Sequence, residues 1–186
     1  HESDIDNHTD LNTAGIDTGG ELIDTNSSLF SETGGNGNTG AFQWDFSEPV
    51  GNLEFNINDL DGDGLVTVTA FDADNNPIEV VLQGGKDINI DGNTADADGP
   101  YQNVNDPDTT VQVSIAGPVS RVVVEHTQNG NDNSGIHITD MYFDTGFDPD
   151  QDGEGGDDVI TGGDGSDDMY GEGGDDTFIV SSSSDA

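Results

Sequence analysis

The sequence predicts an all-β protein whose main domain is an antiparallel β-sandwich, followed by a short repeat segment. Apolar and polar residues alternate with a period of two from Ala41 onward, the pattern of strands with one buried face. No stretch combines helical periodicity with capping residues at its ends. Close to the C-terminus the alternation gives way to a nine-residue repeat rich in Gly and Asp. We therefore expect a sandwich followed by a second, different structure.

The predicted strands are short runs of β-branched and aromatic residues separated by turn residues. Residues 1–40 are polar, and no strand is assigned to them. In the first strand Phe42, Trp44 and Phe46 share one face, so Trp44 is assigned to the core. The other predicted strands are Leu53–Ile57, Val66–Ala70, Ile78–Leu82, Ile88–Ile90, Val111–Ile115, Val119–His126 and Ile136–Phe143. Many short strands in succession are typical of an antiparallel sandwich.

The chain length suits one domain with an appendage, because 186 residues exceed what a small sandwich needs. The predicted parts are the ligand-binding sandwich at residues 1–146, a linker at 147–152, the repeats at 153–179 and a tail at 180–186. There is no Cys, so disulfides and thiolate metal sites do not contribute.

The charge of the chain is extreme. Forty Asp and Glu residues face two cations, Lys86 and Arg121, which gives a formal net charge of −38. Two carboxylates about 4 Å apart repel each other by about 4 kcal/mol near a protein surface, and salt bridges cannot neutralise so many. We therefore expect bound cations to hold the acidic turns together, the alternative being a solvated acidic surface. The charge excludes nucleic acid and anionic membranes as partners.

The repeat segment contains three units in register, Gly153–Thr161, Gly162–Tyr170 and Gly171–Ile179. Each unit has Gly at positions one and four, Asp at position six and a large apolar residue at position eight. This pattern resembles the RTX nonapeptide, whose repeats coil into a parallel β-roll around calcium. The resemblance implies a short calcium-binding β-roll after the sandwich. The alternative is a flexible Gly/Asp linker.

In such a roll the Asp at position six of each unit supplies a carboxylate to calcium. The Gly residues allow the sharp turns, because they accept a positive φ. The predicted ligands are Asp158, Asp167 and Asp176. Turns alternate between the two sides of a roll, so Asp158 and Asp176 are expected on one side and Asp167 on the other.

The sandwich region also resembles a family. Residues 52–62 and 66–77 are similar to the ligand-binding β-sandwich modules of large RTX adhesins, and the order of sandwich, linker and repeats is the same. The resemblance implies calcium-dependent binding of a cell-surface peptide, protein terminus or glycan, in cell adhesion or biofilm formation. It also implies type I secretion to the extracellular space or the bacterial surface. We expect the chain to be a piece of a longer protein and a monomer by itself.

An acidic turn follows the second predicted strand. Its sequence, Asp59-Leu60-Asp61-Gly62-Asp63-Gly64, opens like a calcium loop, with three carboxylates in five positions. An EF-hand needs Glu at loop position twelve, where Ala70 stands, and its flanks would be helices rather than strands. The turn therefore predicts a β-hairpin braced by calcium through Asp59, Asp61 and Asp63.

Other acids are weaker candidates for calcium ligands. Asp72 and Asp74 fit either a calcium turn or an ordinary Asx turn. Asp140 interrupts an apolar strand and either binds a structural calcium, as last-strand Asp residues do in similar sandwiches, or faces solvent. Asp148 and Asp150 are expected to serve the linker or the first repeat.

The ligand site is predicted from the alternation of loops between the two ends of a sandwich. Counted from the strand at Leu53, the loop at 59–64 falls at one end, and the loops at 72–76, 91–110 and 127–135 meet at the other. Long loops on a rigid sandwich commonly carry binding function, the alternative being that they are merely solvated. The predicted ligand-binding residues are Tyr101, Asn103, Asp106, Asp108, Asn129, Asn131 and Asp132, with Asp106 and Asp108 also as metal ligands.

The sequence offers no catalytic motif. It has no G-x-S-x-G, no Cys nucleophile and no phosphate loop, while His126 and His137 lie alone on strands. We therefore predict a non-catalytic adhesin module that binds several Ca²⁺ ions. The alternatives are a carbohydrate-binding module of a secreted polysaccharide-degrading enzyme and a structural extender domain.

Overall fold

A computed structural model describes residues 2–7, 10–35, 37–97, 99–145, 159–161 and 177–179. The chain divides into two compact units, His1–Gly146 and Phe147–Ala186. In the part of the chain that is described, no helix is long and apolar enough to cross a membrane. The predicted linker and tail, and the turns of the repeats, lie outside the described residues.

The first unit is all-β. Its strands are β1 (Glu2–Asn7), β2 (Ser27–Thr33), β3 (Thr39–Asn58), β4 (Gly64–Phe71), β5 (Pro77–Ile78), β6 (Val81–Gly84), β7 (Ile88–Asp91), β8 (Thr94–Ala97), β9 (Val111–Ile115), β10 (Val119–Gln128), β11 (Ser134–Ile138) and β12 (Tyr142–Asp144). All described pairings among them are antiparallel. A 3₁₀ turn, Pro107–Thr109, precedes β9.

The twelve strands form one connected antiparallel sheet with two halves, because the long strand β3 belongs to both. In the half called sheet 2, residues 39–50 of β3 pair with β10, and β4, β8 and β7 follow. In the half called sheet 1, residues 51–58 pair with β9, β11 and β12, with β2, β1 and β6 outside them. β3 passes from sheet 2 to sheet 1 at Asn52, whose φ is 47° and whose N–H donates to Ala116 O at 2.9 Å.

Both halves of the sheet contribute to one apolar core, which gives the unit a sandwich-like arrangement. Along β4 every second residue is buried, the alternation expected of a strand with one face toward a core. Val68 from sheet 2 and Phe55 from sheet 1 are both fully buried in this core. Trp44 packs against the core, the position that the sequence predicted for it, although its side chain is only half-buried.

Three strands were missed in the sequence. β1 and β2 lie in the polar N-terminal stretch, where β2 pairs with β1 on one side and with β11 on the other. β8 was assigned to a long loop because its sequence, Thr-Ala-Asp-Ala, has low β-propensity. The strands predicted at Phe42–Phe46 and Leu53–Ile57 are instead parts of β3.

The last predicted strand, Ile136–Phe143, is wrong in one respect. β11 ends at Ile138 and β12 begins at Tyr142, so Asp140 lies in the connection rather than inside a strand. Thr139 marks the break, because its hydroxyl donates to Asp140 O and accepts from Asn56 N, each at 3.0 Å. Asp140 therefore lies outside a strand interior, which is a position that disfavours Asp.

Two described strands belong to the second unit. β13 (Val159–Thr161) and β14 (Thr177–Ile179) pair in parallel, with Val159 opposite Thr177 and Ile160 opposite Phe178. Each pairing joins residues 18 positions apart, from 159 to 177, which equals two nine-residue units. The strands coincide with the last three positions of the first and third repeats.

Candidate functional site

Three polar segments meet at one end of the first unit, which we call the loop end: residues 59–63, 99–110 and 129–133. Leu60 N donates to Thr109 O at 3.0 Å, which joins the first segment to the second. Asn129 N donates to Asp63 O at 2.9 Å, which joins the first to the third. The Tyr101 hydroxyl donates to Asn133 O at 2.9 Å and closes the set.

The loop end corrects the predicted division of the loops. The segments at 99–110 and 129–133 do meet, but with the acidic turn at 59–63 rather than with the turn at 72–76. The turn at 72–76 lies at the other end, where Asn75 accepts a hydrogen bond from Arg121 near the start of β10. The cause is the missed strand β8, because one added strand moves every later loop to the opposite end.

The acidic turn has a tightly specified backbone. Asp59 and Gly62 have φ values of 66° and 60°, in the left-handed region, and Gly64 N donates to Asp61 O at 3.1 Å. A Cβ at Gly62 would lie 2.9 Å from Asn133 O and 3.0 Å from the ring of Tyr101. Glycine is thus needed at this position both for its φ and for the close approach of the third segment.

Two carboxyl groups in this turn are removed from water without a basic partner. Asp61 is only 4% exposed and accepts a hydrogen bond from Gln102 N at 2.9 Å. Burial, together with the adjacent charge of Asp61, raises the pKa of Asp59 to about 7. Burial also raises the pKa of Asp61 above its usual value, although the bond from Gln102 opposes the shift. The two side chains therefore repel each other in a partly dry site.

The two cations of the chain do not relieve this repulsion. Lys86 forms ion pairs with other acids instead, because its Nζ lies 2.6 Å from Asp108 Oδ2 and 3.6 Å from Asp87 Oδ1. Arg121 lies at the other end, with its guanidinium 4.3 Å from the centre of the Phe71 ring.

A second group of polar side chains surrounds Asp63. Its carboxylate accepts a hydrogen bond from Asp132 N at 2.9 Å and packs against Gly130. Asn129 donates from its amide to Asp96 Oδ1 at 2.7 Å. Tyr101, which is 58% exposed, presents its ring above this group, and burial with the nearby charges of Asp132, Asp61 and Asp63 raises its pKa. Tyr101, Asn129 and Asp132 are thus brought together as predicted.

The predicted residues Asp106 and Asp108 have structural partners. Asp106 accepts a hydrogen bond from Asp108 N at 2.9 Å and caps the 3₁₀ turn, while Asp108 binds Lys86. Asn103 is exposed, and its carbonyl accepts from Asp106 N at 2.8 Å. Asn131 is exposed in the third segment. A metal role for Asp106 and Asp108 remains a prediction.

Among the described residues, no group of three or more His, Asp or Glu side chains is arranged to hold one metal ion. The acidic turn offers a pair of adjacent carboxylates, Asp59 and Asp61. Calcium accepts carbonyl, amide and water oxygens as well as carboxylates, so such a pair suffices as the charged part of a site. Asp148, Asp150, Asp158, Asp167 and Asp176 lie outside the described residues.

The remaining acidic candidates lie away from the loop end. Asp72 accepts from the backbone and side chain of Asn76 at 2.7 and 2.8 Å, which lowers its pKa and closes an Asx-type turn. Asp74 is exposed in the same turn. Burial and the charge of Asp24 raise the pKa of Asp140.

An acidic cleft of about 1,030 Å³ lies beside β12. Carboxylates line it from three parts of the chain: Asp17, Glu21, Glu54, Asp140 and Asp144. Asp17 N donates to Glu54 Oε2 at 2.5 Å, which holds the N-terminal segment against β3. The hydroxyl of Tyr142 donates to Leu22 O at 3.5 Å across the cleft. We call this feature the acidic cleft.

The two strand histidines are buried and hydrogen-bonded. His126 Nδ1 contacts Ser31 Oγ at 3.1 Å and its Nε2 contacts Ser134 Oγ at 3.2 Å, inside the core. Burial lowers the pKa of His126 to about 4. His137 Nδ1 contacts Ser28 Oγ at 2.9 Å. The buried serine hydroxyls thus provide hydrogen-bond partners to ring nitrogens of both histidines.

Sequence reasoning missed Gln102 at the loop end and Glu21 and Glu54 in the acidic cleft. Their positions depend on contacts between distant segments, such as Gln102 with Asp61, for which no local pattern exists. Comparison of the chain with known protein families, with curated proteins and with solved structures found no match.

Proposed function

We propose that the chain is a non-catalytic, calcium-dependent binding module of a secreted or surface-bound bacterial adhesin. Its ligand, a cell-surface peptide or glycan, binds at the loop end. The observation that carries the proposal is the pair Asp59 and Asp61, two partly or fully buried carboxylates with no basic partner among their described contacts. A bound divalent cation would turn this repulsion into attraction.

Calcium suits this site because it is a hard cation that accepts six to eight oxygen ligands in a flexible arrangement. Asp59 and Asp61 would supply the negative charge, and nearby backbone carbonyls would complete the set. The ion would reverse the local charge of the loop end. An acidic surface would thereby accept a ligand carboxylate or sugar hydroxyls, with Tyr101 as an exposed aromatic face beside them.

The pairing of β13 with β14 supports the second part of the proposal, a short calcium-binding β-roll. A roll with two nine-residue units per turn places strands of alternate units side by side in parallel. Ile160 and Phe178 pair in this way, and both occupy position eight of their units. Asp158, Asp167 and Asp176 would then be calcium ligands in the turns.

The test is a calcium titration by calorimetry of the wild type and of Asp59→Asn with Asp61→Asn. We expect the variant to lose one class of site. Glu79→Gln with Asp91→Asn is the matched control, because it removes the same charge from exposed positions outside the loop end that are not candidate calcium ligands. Unchanged calcium binding in the first variant would overturn the proposal for the loop end.

The ligand class is tested by screening peptide and glycan arrays in calcium and in a chelator. We expect binding that requires calcium and disappears with Asp59→Asn and Asp61→Asn. Binding that persists in the chelator would contradict a calcium-dependent site. Failure to bind either kind of array would favour a structural extender domain.

A further inference from the structure

The N-terminal part of β3 forms one edge of sheet 2. Residues 39–50 pair with β10 on one side, whereas β9, β11 and β12 join β3 only at or beyond Gly51. Among the described strands, none pairs with the other side of residues 41–46. In an antiparallel pair alternate residues direct their N–H and C=O groups away from the partner, so this edge offers a row of backbone donors and acceptors.

The inward face of this edge is aromatic. Trp44 is in register with Val122 and Phe42 with Val124, and both valines are fully buried. Residues in register on neighbouring strands point to the same face, so the two aromatic rings face the core. They are nevertheless only half-buried, because no further strand covers them on the open side.

A groove of about 320 Å³ follows this edge, lined by residues of both sheets. The apolar lining residues are Leu29, Trp44, Phe46, Ile138, Met141 and Phe143. Phe143 is 39% exposed and meets Phe46 edge-on, with ring centres 5.2 Å apart. The groove is therefore an apolar surface, open to solvent, beside unpaired backbone groups.

The groove leads into the acidic cleft. Asp140, Met141 and Phe143 line both cavities. Along this part of β3, Asp45 and Glu48 are exposed. Arg121 stands opposite Asp45 in the strand register, but its guanidinium lies over Phe71 and donates to Asn75. The surroundings of the apolar groove are thus strongly negative.

We propose that the edge of β3 at residues 41–46 binds an extended peptide segment by strand addition. Alternate apolar side chains of the segment enter the groove beside Trp44 and Phe46. Lysine or arginine side chains of the segment lie next to Asp45 and in the acidic cleft. This site is separate from the loop end and does not require calcium.

The choice of a basic peptide follows from the two kinds of contact. A strand added to a sheet gains affinity from backbone hydrogen bonds and specificity from pockets for alternate side chains. The aromatic groove supplies such pockets, and the acidic rim selects positive charge. A second copy of this chain is a poor occupant, because two chains with a formal net charge of −38 each repel one another.

The test uses the full chain and a synthetic peptide of alternating lysine and valine. Trp44 is the single tryptophan of the chain, so its fluorescence reports the groove directly. We expect the peptide to shift this emission and to slow hydrogen exchange at the amides of residues 41–46. Peptides N-methylated at every second residue, in the two alternate patterns, block the backbone bonds, and at least one of them should bind weakly.

Matched variants separate the edge from general charge attraction. Asp45→Lys with Glu48→Lys should weaken peptide binding about tenfold, since two favourable charge contacts become repulsive. Glu79→Lys with Asp91→Lys makes the same change of charge at exposed positions away from this edge and should leave the affinity within about twofold; Asp91 lies on β7, at the opposite edge of sheet 2. A chelator should have no effect.

Protection at β7 or the loop end instead of residues 41–46 would overturn the proposal. Equal loss of affinity in both charge variants would do the same, because it would indicate non-specific attraction. Self-association of the chain through this edge, detected as a concentration-dependent dimer without peptide, would also overturn the proposal, because the occupant would then be a second copy of the chain.

Discussion

At the scale of single residues, Asp59 has the least favourable surroundings for its charge among the described carboxyl groups. Its pKa of about 7 reflects burial first and the charge of Asp61 second. The acidic pattern of the turn was visible in the sequence. The pKa shift was not, because it depends on the segments at 99–110 and 129–133 that cover the turn.

The raised pKa of Asp59 makes the stability of the calcium-free protein depend on pH. A carboxyl whose pKa is raised from 3.8 in the unfolded chain to about 7 in the folded protein favours folding below about pH 4. That contribution is lost as the pH rises through about 7. We therefore predict that the melting temperature in chelator falls between pH 4 and 7 less steeply in Asp59→Asn than in the wild type. Identical slopes would contradict a buried, uncompensated Asp59; Asp74→Asn is the control.

His126 provides the opposite case on the acid side. Its pKa is lowered to about 4 by burial, so the folded protein holds it neutral while the unfolded chain takes up a proton below about pH 6.5. Stability from this residue is present above 6.5 and is lost as the pH falls toward 4. We predict that the imidazole resonances of His126 stay unchanged from pH 7 to 5 by NMR. Titration near pH 6.5 would mean that the ring is not in the core.

At the scale of elements, the hairpin of β7 and β8 decides how the loops are distributed. β8 contains Asp96 and no large apolar residue, yet it forms because residues 94–96 pair with β4. The strands with clean alternation, such as β4 and β9, were predictable from sequence. β8 was not, since its stability comes from its neighbours, and this one omission moved the predicted ligand site away from the acidic turn.

Two glycines of the same backbone conformation test how tightly the loop end is packed. Gly62 and Gly92 have φ values of 60° and 59°, but a Cβ at Gly62 would meet Asn133 O, whereas one at Gly92 would meet nothing within 4 Å. We predict that Gly92→Ala costs about 1 kcal/mol of unfolding free energy through φ alone. Gly62→Ala should cost about 1–3 kcal/mol more, through overpacking. Urea denaturation compares them, and equal losses would mean that the loop end is loosely packed.

At the scale of the whole molecule, stability has to overcome the formal net charge of −38. The apolar core of the first unit is one source of stability, with residues such as Phe55 and Val68 fully buried. The sequence predicted this all-β antiparallel unit because period-two alternation follows directly from burial of one face. It did not predict that β3 belongs to both halves of the sheet, because the change at Asn52 is a matter of local φ and not of hydrophobic pattern.

The final prediction is that calcium stabilises the whole chain beyond what ionic strength does. A ligand that binds only the folded state adds about 2.7 kcal/mol per site at a hundredfold excess over its Kd. Screening by salt weakens repulsion between exposed carboxylates but acts much less on the buried pair Asp59 and Asp61. We therefore expect the melting temperature to rise more in CaCl₂ than in NaCl of equal ionic strength.

Two double variants divide this calcium-specific rise between the two units. Asp59→Asn with Asp61→Asn should lose the part that comes from the loop end and keep the part that comes from the repeats. Asp158→Ala with Asp176→Ala should lose the part that comes from the repeats and keep the part that comes from the loop end. A melting temperature that depends on ionic strength alone would mean that the carboxylates are solvated surface and that neither unit binds calcium specifically.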